Sequence, residues 1–375
     1  MKKIKTLGVW SVFVLIYLIG SCQTQNEQAV EEANAALSLA KKDNIEIIKP
    51  LYITDTTKHD TDDPAIWINY EKPEESLIVG TDKNEDGALY VFDLKGNIIG
   101  DKTVRGLKRP NNVDIEYGLK INGQKVDIAV TGERLAHKLR IFSLPDMLAI
   151  DNGGIPVFEG ETGVEYRDLM GISLYKRPKD DAIFAIIGRK TGPTDGTYLW
   201  QYLLEEDGNG KVKATLVRKF GKYSGINEIE AIAVDDALGY VYYSDEGVGI
   251  RKYYADPEKG NEELALFGTD DFKEDHEGIS IYHKAGEKGY ILVSDQQANR
   301  FNIYNRIGTT AAPHQHNLLK TVYVSTNESD GSEVSSFNFN DDFQNGLFVA
   351  MSDDKTFQIY KWEDIAGKEL LPLEK

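Results

Sequence analysis

The stretch HDTDDPAIWIN, residues 59–69, decides how this chain is read. Three aspartates (Asp60, Asp62, Asp63) precede Pro64, and an apolar, strand-like run follows from Ala65 to Ile68. Carboxylates this dense repel one another unless a cation or basic side chains sit among them. Comparable openings return at Val113-Asp114-Ile115, Met170-Gly171-Ile172-Ser173, Ala231-Ile232-Ala233-Val234, Gly278-Ile279-Ser280-Ile281 and Ser335-Ser336-Phe337. Most are followed by a more hydrophobic run: LIVGTD (77–82), VDIAVTG (126–132), AIFAIIG (182–188), GYVYYSD (239–245), GYILVSD (289–295) and GLFVAMSD (346–353). A third run then appears: ALYVFDL (88–94), KLRIFSL (138–144), YLWQYLL (198–204), GIRKYY (249–254), RFNIYNR (300–306) and TFQIYKW (356–362). Six such sets, roughly 45 to 60 residues apart with several strands each, predict an all-β chain: a six-bladed β-propeller with four-stranded blades.

In a propeller the innermost strands line a central channel and their ends share one face. Acidic residues at one place in each blade therefore meet, however far apart they lie in sequence. Asp and Gly at strand ends also serve turns. That reading covers Asp235 to Gly239 and Asp353-Asp354, but it fits poorly with Glu230 and Glu277, which stand beside apolar strand residues.

Composition narrows the function. The 375 residues carry a formal net charge of -18, which argues against nucleic acid as a partner because phosphate backbones need a basic surface. The charge also opposes any anionic substrate unless metal ions invert the local field. The N-terminus reads as a targeting segment over residues 1–21, with a basic MKKIK start and an apolar run from Leu7 to Ile19. Small residues leading into Cys22 have the form of a bacterial lipoprotein signal, with Cys22 acylated. Residues 22–44 read as a polar tether and residues 45–375 as the propeller domain. The expected location is the bacterial cell envelope, anchored at the outer membrane through lipid alone, as a monomer. Cys22 is the only cysteine, so no intrachain disulfide can form and another staple is needed; metal ions are one.

From residue 45 onward, the segments resemble the β-propeller (alkaline) phytases. The acidic run before Pro64-Ala65-Ile66-Trp67, the Asn111-Asn112-Val113-Asp114 motif, VDIAVTGER (126–134), Ile229-Glu230-Ala231-Ile232 with Tyr243-Ser244-Asp245-Glu246, Asp275-His276-Glu277-Gly278, and the closing segment 346–362 match that family in order. The resemblance implies calcium dependence, with several ions, and stepwise removal of phosphate from phytate (myo-inositol hexakisphosphate) of the 3-phytase type. The chain departs at Val324, where the family carries an acid, at Met351 to Asp354 in the closing blade, and at Thr191 after Lys190.

Phosphate monoesters hydrolyse very slowly in water, so a catalyst must neutralise phosphoryl oxygens and position a water. The mature domain has no cysteine beyond Cys22, its six histidines lack a helical His-x-x-x-His pair, and there is no P-loop. Carboxylates are abundant, and oxygen is what calcium prefers. The resemblance implies Asp62, Asp63, Asn112, Asp114, Glu230, Glu246, Asp275, Glu277 and Asp330 as calcium ligands. Glu230, Asp275 and Glu277, with Glu246, form the proposed cleavage centre, where calcium activates a water. Glu230 and Glu277 could instead form ordinary salt bridges, and Asp62 and Asp63 could cap the turn before Pro64.

Lys83, Arg134, Tyr175 and Lys190 are the candidate phosphate contacts, with Arg189 a rival for the last. Each could equally be a solvated surface residue. His276 reads as structural, because alternate residues of a strand face opposite sides; Tyr242, Tyr243, Tyr253 and Tyr254 read as blade packing. The substrate is expected as its calcium complex. Two other functions remain open: a non-catalytic, calcium-stabilised binding module and a calcium-dependent propeller lactonase. The basic residues favour phosphate over lactone.

Overall fold

The second run of each set becomes a strand buried on both faces. Leu77–Asp82 and Leu347–Ser352 have no exposed residue, which is why they read as unbroken apolar runs rather than as alternation. They belong to a computed structural model that describes residues 45–371. The targeting segment, the tether and Cys22 lie outside the described residues. Among those residues, no helix is long and apolar enough to cross a membrane.

Six antiparallel sheets form the blades. Their inner strands are Thr61–Trp67, Pro110–Ile121, Leu169–Arg177, Ile232–Asp235, His276–His283 and Ser332–Ser335. Each packs against the next and the sixth packs against the first, which closes a ring. A separate apolar core fills each space between neighbouring blades; Ile78, Tyr90, Phe357 and Ile359, for example, join the first blade to the sixth. The fold is thus the six-bladed propeller read from the sequence.

The staple is not a disulfide. Tyr52–Ile53 forms the outer strand of the sixth blade, antiparallel to Thr356–Lys361, with Tyr52 opposite Ile359. The last blade therefore holds strands from both ends of the domain. Ile47–Ile48 adds a parallel edge strand to the fifth blade. After the last strand, the helix Trp362–Leu370 buries Trp362, Ile365, Ala366 and Leu370, and Trp362 stacks on Tyr282 at 3.7 Å.

One boundary differs from the sequence reading. The sixth inner strand is Ser332–Ser335, ending where Ser335-Ser336-Phe337 had been expected to begin it. Phe337 packs beyond the strand against Tyr70 and Phe339, so its apolar character belongs to a loop cluster.

A repeated irregularity shapes the channel mouth. Pairing between the first and second strands slips by one residue at the same place in four blades: between Thr61 and Pro64, Pro110 and Val113, Leu169 and Ile172, and His276 and Ile279. Such a bulge leaves an unpaired residue and re-aims the side chains beside it. The bulges fall at Asp62-Asp63, Asn111-Asn112, Met170-Gly171 and Glu277-Gly278. Glu230-Ala231 and Asp330-Gly331 stand just before the inner strands of the other two blades.

Candidate active site

Because the second strand runs antiparallel to the first, its C-terminal end lies at the same mouth. Lys83, Arg134, Lys190 and Glu246 directly follow second strands, and so arrive beside the bulge residues or, for Glu246, beside Glu230. The mouth has two chemically different halves.

In the first half, carboxylates are paired. Lys83 Nζ lies 2.5 Å from Asp62 Oδ1 and 3.1 Å from Asp330 Oδ2. Burial opposes charge on Lys83, yet Asp62, Asp330 and Glu230 hold its pKa well above the usual lysine range. Asn111 Nδ2 donates to Asp62 Oδ2 at 3.2 Å and to Glu230 Oε1 at 3.0 Å, linking this half to the next. Gln296 Nε2 donates to Asp330 Oδ1. Asp63 turns aside: its Oδ2 accepts from Val113 N at 3.1 Å. The blades close tightly here, with Gly331 N donating to Asp62 O at 3.0 Å. A Cβ on Gly331 would stand 2.5 Å from Asp63 Cα, so only glycine fits.

In the second half, carboxylates face each other. Glu230, Glu246 and Glu277 each bring an oxygen within 4.8 Å of the other two. Burial pushes all three carboxyl pKa values up. Glu230 and Asp275 add to the rise at Glu246, which reaches about 8, and Glu246 and Glu230 add to it at Glu277. Glu246 Oε1 and Glu277 Oε2 are buried without a hydrogen-bond donor. Leaving such oxygens unpartnered is costly. Clustered hard oxygens with orphaned lone pairs fit a cation such as calcium. Arg134 Nη2 approaches Glu230 Oε1 at 4.0 Å and also meets the Met170 sulfur, while its Nε donates to Leu169 O at 3.3 Å.

Asp275 lines the same pocket, but its carboxylate accepts from Asn227 Nδ2 at 3.2 Å and Gln297 Nε2 at 2.8 Å. The pocket, about 620 Å³, is walled by Glu165, Lys190, Glu228 and the glutamate triad.

Some expected residues lie elsewhere. Tyr175 is six residues along the inner strand from Leu169, about 20 Å away at strand rise. It is buried, stacked on Phe184 in an interblade core, so it is not a phosphate contact at this mouth. Asp114 faces the channel wall, accepting from Ser173 Oγ at 2.8 Å and Leu174 N at 2.7 Å, apart from the triad. Asn112 is buried with its Oδ1 unpartnered. Val324 packs in the core between the fifth and sixth blades, so no ligand stands there. Arg189 is fully buried, donating to Glu161, Tyr166, Thr197 and Tyr198, which leaves Lys190 as the residue at the pocket. His276 is structural, bonded to Asp245 O at 3.0 Å and packed on Phe272. Tyr242, Tyr243 and Tyr253 are buried core residues.

Sequence reasoning missed Asn111, Glu165 and Glu228. Glu228 carried a signal: it alternates with Glu230 in Asn227-Glu228-Ile229-Glu230. Asn111 had none beyond its place in the Asn111-Asn112-Val113-Asp114 motif.

A propeller whose channel mouth gathers three facing carboxylates beside a lysine defines a class suited to cation-assisted chemistry on an anion. The family model described as phytase matches residues 14–371, so the chain belongs to the phytase family. A 3-phytase of Bacillus subtilis (strain 168) is 29% identical over 322 residues, spanning 81% of this chain and 80% of that protein. These matches support a phosphatase-type hydrolase.

Proposed function

We propose that this protein is a calcium-dependent phytase that hydrolyses phosphate monoesters of myo-inositol hexakisphosphate, with the 3-phytase specificity named for its Bacillus relative. The observation that carries this reading is the triad of Glu230, Glu246 and Glu277, with two orphaned carboxylate oxygens, in one pocket with Lys190. The triad would hold calcium, which would draw charge from phosphoryl oxygens and favour deprotonation of a nearby water. Lys190 offers a point charge to a phosphoryl oxygen. Arg134, held by Leu169 O, orients Glu230 and balances part of its charge. Asn111 fixes the same carboxylate from the other side. Six carboxylates against one ammonium line the pocket (Glu165, Glu228, Glu230, Glu246, Asp275 and Glu277 against Lys190). A free polyanion is repelled there, so the substrate enters as its calcium complex.

Phosphate release from phytate is measured while calcium is titrated. Release that rises with calcium, disappears with chelator and collapses in Glu230→Gln and Glu277→Gln is expected. Full release from both variants would remove the centre.

The reading extends to location. The sequence around Cys22 supports a lipid-anchored envelope protein. Cys22→Ala should lose palmitate labelling and leave the membrane fraction; retention there would refute the anchor.

A further inference from the structure

Lys190 is flanked on two sides by carboxylates outside the glutamate triad. Its Nζ lies 3.8 Å from Glu165 Oε1 and 3.6 Å from Glu228 Oε1. All three side chains are partly exposed at the pocket wall, at 33%, 46% and 35%, so the contacts are open to a ligand. The two glutamates come from different directions. Glu165 sits on the loop whose Tyr166 carbonyl and nearby Glu161 carboxylate both bind the buried Arg189 guanidinium, which fixes that loop to the third blade. Glu228 sits on a loop tied down by Tyr223 Oη to Asn227 O at 2.5 Å and by Asn227 to Asp275. Its backbone N donates to Glu246 Oε2 at 3.3 Å, so its position is set independently of its carboxylate. Both acids are therefore presented to Lys190 by anchored backbone.

We infer that Glu165 and Glu228 are specificity-determining residues that compete with the substrate's phosphate for Lys190. The inference rests on the phytase reading above. A phosphoryl group must displace one or both carboxylates to reach the ammonium. A monoester carrying one phosphate has little else to offer in exchange. A densely phosphorylated ester brings several phosphates and their calcium ions, so it displaces the acids more readily. The clamp thus filters for highly charged esters, and it keeps Lys190 in place when the pocket is free.

The test is a double-mutant cycle at saturating calcium, reading KM for phytate and for a monophosphate ester, with phytate binding by calorimetry as a readout that needs no turnover. Glu165→Gln and Glu228→Gln keep shape and remove charge. Each should lower KM by about two- to fivefold, the range of a half-exposed ion pair, with the larger fall for the monoester. In a Lys190→Met background the same substitutions should leave KM and affinity unchanged. A raised KM, or an equal fall with Lys190 absent, would overturn the clamp: the acids would then attract calcium, or merely repel anions. If the wild-type protein binds phytate and the cycle shows coupling but no phosphate is released, the clamp stands and the phytase reading fails.

Discussion

The two halves of the channel mouth use the same residue type for opposite ends. Around Lys83 the chain supplies its own cation, and Asp62 and Asp330 each hold it. In the other half Arg134 reaches only Glu230, no basic side chain among the described residues pairs with Glu246 or Glu277, and a buried oxygen of each lacks any donor. The first arrangement gives every carboxylate oxygen of Asp62 and Asp330 a partner from the protein itself. The second becomes complete only with a cation from outside, so the missing partner, more than the acidity, marks the site.

The largest expected effect follows from that difference. Glu230→Gln or Glu277→Gln should lower kcat/KM for phytate at saturating calcium by at least about 100-fold, since Lewis-acid stabilisation is worth several kcal/mol. A loss under tenfold would place the centre elsewhere. In the paired half, the damage should be to stability. Lys83→Met strands the buried Asp62 carboxylate and should cost about 3 to 5 kcal/mol in chelator, measured by urea denaturation. An unchanged midpoint would mean the pair is not what holds this half together.

A smaller effect probes the blade junction beside Lys83. Gly331→Ala forces a Cβ against Asp63 Cα and Asp62 O, at 2.5 and 2.6 Å, and should destabilise by about 1 to 3 kcal/mol. Tolerance of alanine would show that the junction yields.

The smallest effect separates the halves by sign. Burial lifts the Glu246 carboxyl from 4.5 to about 8 in the metal-free protein. Between those values the folded state keeps a proton that the unfolded state has lost, so stability falls as pH rises through the window. Glu246→Gln should therefore stabilise the chelated protein at pH 8, by about 1 kcal/mol, and calcium should flatten the wild-type profile. A chelated protein that grows more stable from pH 5 to 8 would contradict this.

How far the sequence could be read follows from the same physics. The second strands were legible because burial on both faces makes them continuously apolar. The outer strands were not: Leu148–Ala149 is two exposed residues, and the sixth blade's outer strand comes from Tyr52–Ile53 at the other end of the domain. Glu230 and Glu277 stood out as charges beside strand residues, and the mouth does gather them with Glu246. Tyr175 was misplaced because its distance along the inner strand decides its role, and no local pattern shows which end of a strand faces the site. Asn111 stood in a quoted motif, but its role did not show, because the bulge that aims it depends on pairing with the next strand.

The most direct test is a calorimetric titration of calcium into the full chain and into the variant carrying Glu230→Gln, Glu246→Gln and Glu277→Gln together. The account predicts that the tightest binding event disappears while the variant stays folded in chelator. Retention of that event with unchanged affinity would contradict it.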